Sequence, residues 1–177
     1  MQISVRAGLA SLAALVSVTG AQAQENRPQP ACSAEMTALP AELAAWPDRK
    51  VSAAADEASN LSGAQIESGR AIDAQLRPMP AVRYVLQPEK PGGPDSFGGL
   101  FALRIDEAGT YRVALGAAAW IDLIGDGSAV ASTAHGHGPA CSGIRKVVDF
   151  VLSPGSYVLQ VSASAANSLP LLVTRLS

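Results

Sequence analysis

The chain has 177 residues, with thirteen basic and fifteen acidic side chains, two histidines and a formal net charge of −2. Hydrophobic residues make up 48% of it and charged ones only 16%, so no basic stripe is available to grip nucleic acid or an anionic membrane. The length fits one folded domain behind a leader.

Residues 1–23, MQISVRAGLASLAALVSVTGAQA, predict a signal peptide: Arg6 comes early, an uncharged Ala/Leu/Val run follows, and Ala21 and Ala23 supply the small residues a signal peptidase reads. The run is too short and too rich in Ala and Ser for a membrane span, which takes about 20 strongly apolar residues. Cleavage after Ala23 predicts a periplasmic or secreted protein with no membrane insertion. Residues 24–68 read as an extended or helical lead-in. PAELAAWPD, from Pro40 to Asp48, fits one or two helical turns opened by one proline and closed by another. The alanine-rich stretch from Val51 to Ala64 fits either a helix or a loop carrying a short strand. Cys32 and Cys141 are the only cysteines, and in an exported chain they predict a disulfide that pins this lead-in to the body. A metal-ligating thiolate is the alternative.

Residues 69–177 carry β signals. RAIDAQL alternates Ile72, Ala74 and Leu76 with Asp73 and Gln75, the pattern of a half-buried strand. AVRYVL is a second expected strand, followed by a Pro/Gly-rich loop, QPEKPGGPDSFGG. LFALRI, TYRVALG, AWIDLI, AVAST, KVVDFVL, SYVLQVSA and PLLVTRL complete a set of roughly nine short strands. Such spacing predicts an all-β fold, an antiparallel β-sandwich or jelly-roll-like single domain, with a short helical or irregular N-terminal segment. A weak internal repeat pairs FALRIDEAGTYRVAL with FVLSPGSYVLQV, aligning Phe101 with Phe150, Gly109 with Gly155 and Tyr111 with Tyr157. Each copy reads as a β-hairpin with glycine at a positive-φ turn position and tyrosine starting the return strand. The tyrosine ring then faces the core while its hydroxyl reaches a backbone partner at the rim. These motifs, AGTYRVAL followed by Ile121-Asp122-Leu123, resemble bacterial pre-peptidase C-terminal modules. That resemblance implies a secreted β-sandwich with a binding or auxiliary role.

The segment AHGHGPACSGIRK holds both histidines. His135 and His137 lie two apart, so an extended chain would point both rings the same way, a spacing that zinc, iron or copper accepts. A catalytic site usually needs a third ligand, which here must be Asp, Glu, Met or a reduced Cys141. A tight loop built on Gly136 and Gly138, or a loop contacting a polar ligand, fits the same residues. The cupin H-x-H motif requires Gly six residues ahead and Glu four or five behind, where this chain has Ala129 and Cys141 or Ser142. The chain is also similar, through AWID, HGHGPACSGIRK and LLVTRL, to short exported bacterial proteins labelled homogentisate 1,2-dioxygenase. That resemblance implies an iron-dependent dioxygenase using His135 and His137.

For nucleophilic catalysis there is no G-x-S-x-G elbow, and a Ser132, His135 and Asp122 set draws only on common residue types. Arg145 and Lys146 form an adjacent basic pair able to steer an anionic ligand. Trp120 is either core or, at a rim, a stacking surface for a sugar or peptide ring. The reading that combines these features is an exported, non-catalytic β-sandwich module without a cofactor that binds a small ligand, a glycan or an envelope protein. Its expected contact residues are Trp120, Asp122, His135, His137, Arg145 and Lys146. The metal-dependent dioxygenase and a purely structural envelope protein are the alternatives.

Overall fold

The computed structural model describes Cys32 and residues 39–177. The expected signal peptide lies outside the described residues, as does the lead-in up to residue 38 apart from Cys32.

The fold is an all-β sandwich of two packed sheets. The first sheet runs, in spatial order, β1 (Arg49–Ala53), β3 (Ala71–Gln75), β12 (Ser168–Arg175), β6 (Gly109–Leu115), β10 (Lys146–Leu152) and β9 (Ala134–Gly136). The second runs β2 (Gln65–Ile66), β5 (Phe97–Ile105), β11 (Gly155–Ser164), β7 (Trp120–Gly125) and β8 (Ser128–Ala129), with β4 (Arg77–Pro78) paired onto the start of β5. Pairing is antiparallel except for β1 on β3 and β2 on β5. The sandwich thus takes in two strands that precede residue 69.

Period-two alternation explains the core. Ile72 and Ala74 of β3, Val113 and Leu115 of β6, Ile121 and Leu123 of β7, and Leu159 and Val161 of β11 all point into one cluster around Phe101. A fully buried Leu, Ile or Phe contributes about 2 kcal/mol, so this cluster is the main favourable term. A second, smaller cluster lies on the outer face of the first sheet, where Leu43 and Trp46 cover Ala71, Ala114, Val147 and Leu172. The proline-bounded segment does make helical turns here, as a 3-10 turn over Ala41–Leu43. The ambiguous alanine-rich stretch divides between β1 and a 3-10 helix over Ala58–Gly63.

Three expectations are corrected. AVRYVL is not a strand. Its backbone is bound by side chains instead, with Val85 N–H and Leu86 N–H donating to Gln160 Oε1 at 2.6 and 3.1 Å. Of AVAST only Ala129 is in a strand, as the second residue of β8, because the ladder on β7 ends there. The repeats are not hairpins: β5 leads to β6 in the other sheet, and β10 leads back to β11. Each connection is a corner between sheets, and the two lie side by side, Gly109 opposite Leu152 and Gly155 opposite Ile105. Tyr111 Oη donates to Glu107 O at 2.8 Å and Tyr157 Oη to Ser153 O at 2.9 Å. The shared Gly-x-Tyr pattern therefore encodes two tyrosine corners. Neither glycine has positive φ. A Cβ at Gly109 would meet Arg175 Nε at 2.7 Å, so a side chain there would displace the arginine that lies over this corner.

Candidate functional site

Strand β7 sends Ile121 and Leu123 to the core and Trp120 and Asp122 to its other face. The indole Nε1–H of Trp120 donates to Asp122 Oδ1 at 2.9 Å, tying the two together. Lys146, the first residue of β10, reaches across from the other sheet, donating from Nζ to Ala119 O at 3.0 Å. Its ammonium lies 5.2 Å from the Trp120 ring centroid, and that of Lys90 lies 4.7 Å away. Such cation–π contacts favour a charged nitrogen over the indole face.

Lys90 is absent from the expected residue set. It sits in the Pro/Gly-rich strap between residues 82 and 96, which crosses the outer face of β11. Gln160 is 1% exposed and imitates a backbone unit, accepting from Val85 and Leu86 N–H and donating to Leu86 O at 3.0 Å. Tyr84 Oη donates to Val161 O, and Ser162 Oγ donates to Lys90 O at 2.8 Å. A bulge in β11 between Val161 and Ser164 holds Ala163 at φ 55°, and Gly92 lies against it where any Cβ would meet Ala163 Cα at 2.7 Å. The sequence signal that could have found Lys90 is the set of buried polar residues in β11, Gln160 and Ser162.

Two open clefts share Trp120 and Lys146 as a common wall. One, of about 390 Å³, is lined by Lys90, Ala119, His137 and Arg145. The other, of about 530 Å³, is lined by Glu89, Asp122, Ser132 and His135. All six expected contact residues therefore gather in one region. The two imidazoles, however, serve different clefts. His135 is in β9, opposite Val148 of β10, whereas His137 lies beyond the end of that strand. His137 Nδ1–H donates to Arg145 O at 2.9 Å, which leaves Nε2 for a ligand. The loop between them and β10 turns on Cys141 and Gly143, whose φ values are 61° and 73°, rather than on Gly136 or Gly138. Gly138 is instead a close approach, with its missing Cβ 2.4 Å from Ile144 Cβ.

Electrostatics set the two clefts apart. Burial lifts the Asp122 carboxyl above its ordinary range, and nearby Glu89 lifts it further, against the stabilising Trp120 hydrogen bond and Lys146 charge. Burial and the neighbouring Lys90 charge lower the Lys146 ammonium. Burial, with the Asp122 charge, pushes Tyr84 up to about 12. Asp122 Oδ2 is buried and meets no hydrogen-bond donor among the described residues.

The described residues do not assemble the ligand set of an iron, zinc or copper site. Cys141 is bonded to Cys32, with a Cα–Cα distance of 5.5 Å, so it offers no thiolate. Among the described residues no three His, Cys, Asp or Glu side chains are placed to hold a metal ion. A further hollow, about 810 Å³, lies elsewhere, at the tyrosine-corner end of β6 and β10. Charged groups on its wall neutralise one another, Arg104 with Asp106 and Arg175 with Glu107. Also among the described residues, no helix is long and apolar enough to cross a membrane. No protein-family profile matches the chain, and no curated protein matches it.

Proposed function

We propose that this protein is an exported, non-catalytic β-sandwich module that binds its ligand, a small molecule, a glycan or an envelope partner, along the two clefts at Trp120. The observation that carries this reading is the half-buried indole with two ammonium groups over its ring, standing at the common wall of both clefts. Apolar surface beside a few convergent polar groups is the usual make-up of a ligand site. Export is supported by the predicted signal peptide and by the Cys32–Cys141 bond, which oxidising compartments preserve.

The test is a thermal-shift panel of oligosaccharides, organic acids and envelope extracts against the wild type and Trp120→Ala. A bound ligand raises Tm because it stabilises only the folded state. The expected result is one or more ligands that raise Tm in the wild type and not in the variant. Shifts that are the same in both place the contact region elsewhere. No shift with any component favours a structural envelope role.

A further inference from the structure

The charge pattern of the clefts narrows the ligand. Six arginines among the described residues, at positions 49, 70, 83, 104, 112 and 175, are paired with carboxylates. Lys90, Arg145 and Lys146 make no such pair among the described residues, yet they converge on one cleft in a chain of negative net charge. Among the described residues no carboxylate lines that cleft. Its remaining walls are His137, the Trp120 ring and the alanines at 118, 119 and 163.

The adjoining cleft is of opposite character. Asp122 and Glu89 offer acceptors, while Ser132 and His135 can donate or accept. Asp122 Oδ2 in particular lacks a donor among the described residues. A simple organic acid would fill the basic cleft and leave this second set of polar groups unused. An acidic peptide would place further carboxylates beside Asp122 and Glu89, and its backbone matches each N–H donor with a carbonyl acceptor, whereas a sugar offers several hydroxyl donors together.

We infer that the ligand is an acidic glycan, with a uronic-acid carboxylate between Lys90, Arg145 and Lys146 and the hydroxyls of a neighbouring sugar on Asp122, Ser132 and His135. The inference rests on the binding-module reading above. A sugar acid suits the basic cleft because its carboxylate takes charge-assisted hydrogen bonds while its C–H face lies on the indole and alanine methyls. Lys146 already spends one donor on Ala119 O, so two remain for the ligand. The lowered Lys146 ammonium agrees with an incoming anion, which would restore a charge that burial and Lys90 disfavour.

The experiment is calorimetric titration of the mature protein with three probes: galacturonic acid hexamer, the same hexamer with its carboxyls reduced to alcohols, and monomeric galacturonate. The expected result is that the acidic hexamer binds about tenfold or more tightly than either of the others. Lys90→Gln and Lys146→Gln should each weaken it several-fold, with Lys90→Arg restoring binding. Lys90 is exposed, so its variants test charge without threatening the fold. Equal binding of the reduced hexamer overturns the inference but leaves a glycan-binding module. Equal binding of the monomer overturns it in favour of a small organic acid. No heat with any probe overturns it outright, and the module reading is then decided by the thermal-shift panel.

Discussion

Asp122 shows how one residue couples stability to the site. Its folded carboxyl holds a proton more tightly than the unfolded chain does, because burial raises it above 3.8. Ionisation therefore lowers stability as pH climbs from 3.8 through the folded value, and the loss is absent below 3.8. Asp122→Asn keeps an oxygen for the Trp120 N–H and removes the charge. It should be more stable than the wild type at pH 7, by roughly a few tenths of a kcal/mol once partial exposure is allowed for. The gain should vanish near pH 3.5 (about the ordinary carboxyl value). Urea midpoints across that range check the sign, and a wild type more stable at both ends would refute it. The same variant should bring Tyr84 down from about 12, read as an earlier phenolate absorbance on alkaline titration.

At the scale of elements, two devices do work that no strand ladder does. The first is the tyrosine corner. Tyr111→Phe should cost about 1 kcal/mol by removing one hydrogen bond to Glu107 O from a ring that stays buried. Tyr157→Phe, at a more exposed corner, should cost less, and denaturant unfolding separates the two. The second is the strap across β11. Gln160→Ala strands two backbone N–H groups and one carbonyl, which predicts a loss of about 3 kcal/mol. Hydrogen exchange should rise first at residues 83–90, and ligand affinity should fall because Lys90 loses its seat over Trp120. Unchanged exchange in the strap would mean that Tyr84 and Ser162 hold it alone.

For the whole molecule, the longest covalent constraint is the Cys32–Cys141 bond, with a sequence separation of 109. Closing a loop of that length restricts the unfolded chain by up to about 4–5 kcal/mol in the chain-entropy model. Cys32→Ser with Cys141→Ser should therefore lower the unfolding free energy by that order, read from urea melts, with the Trp120 clefts still formed if Gly138 and Ile144 hold the loop. Equal midpoints for oxidised and reduced protein would show that the bond contributes little. The sandwich is otherwise built so that the ends of β6 and β10 divide its roles: paired corners at one end, the Trp120 clefts at the other.

The fold class was legible in the sequence because period-two burial is local: Ile72, Ala74 and Leu76, or Ile121 and Leu123, declare their inward face without reference to any partner. The disulfide was legible because only two cysteines exist to form it. The Gly-x-Tyr repeats were visible as repeats, but not as corners, because a turn within a sheet and a crossing between sheets place the same residues in the same order. AVRYVL looked like a strand since its residues suit one, and only the side chain of Gln160, far along the chain, takes its hydrogen bonds. The site follows the same division. Trp120, Asp122, His135, His137, Arg145 and Lys146 stand out by chemistry alone, whereas Lys90 joins them, and the two histidines part into separate clefts, only when the sheets close and the strap is seated. Residue type and alternation are written locally in the chain; which cation meets which ring depends on contacts between distant segments, and those only the packed sandwich decides.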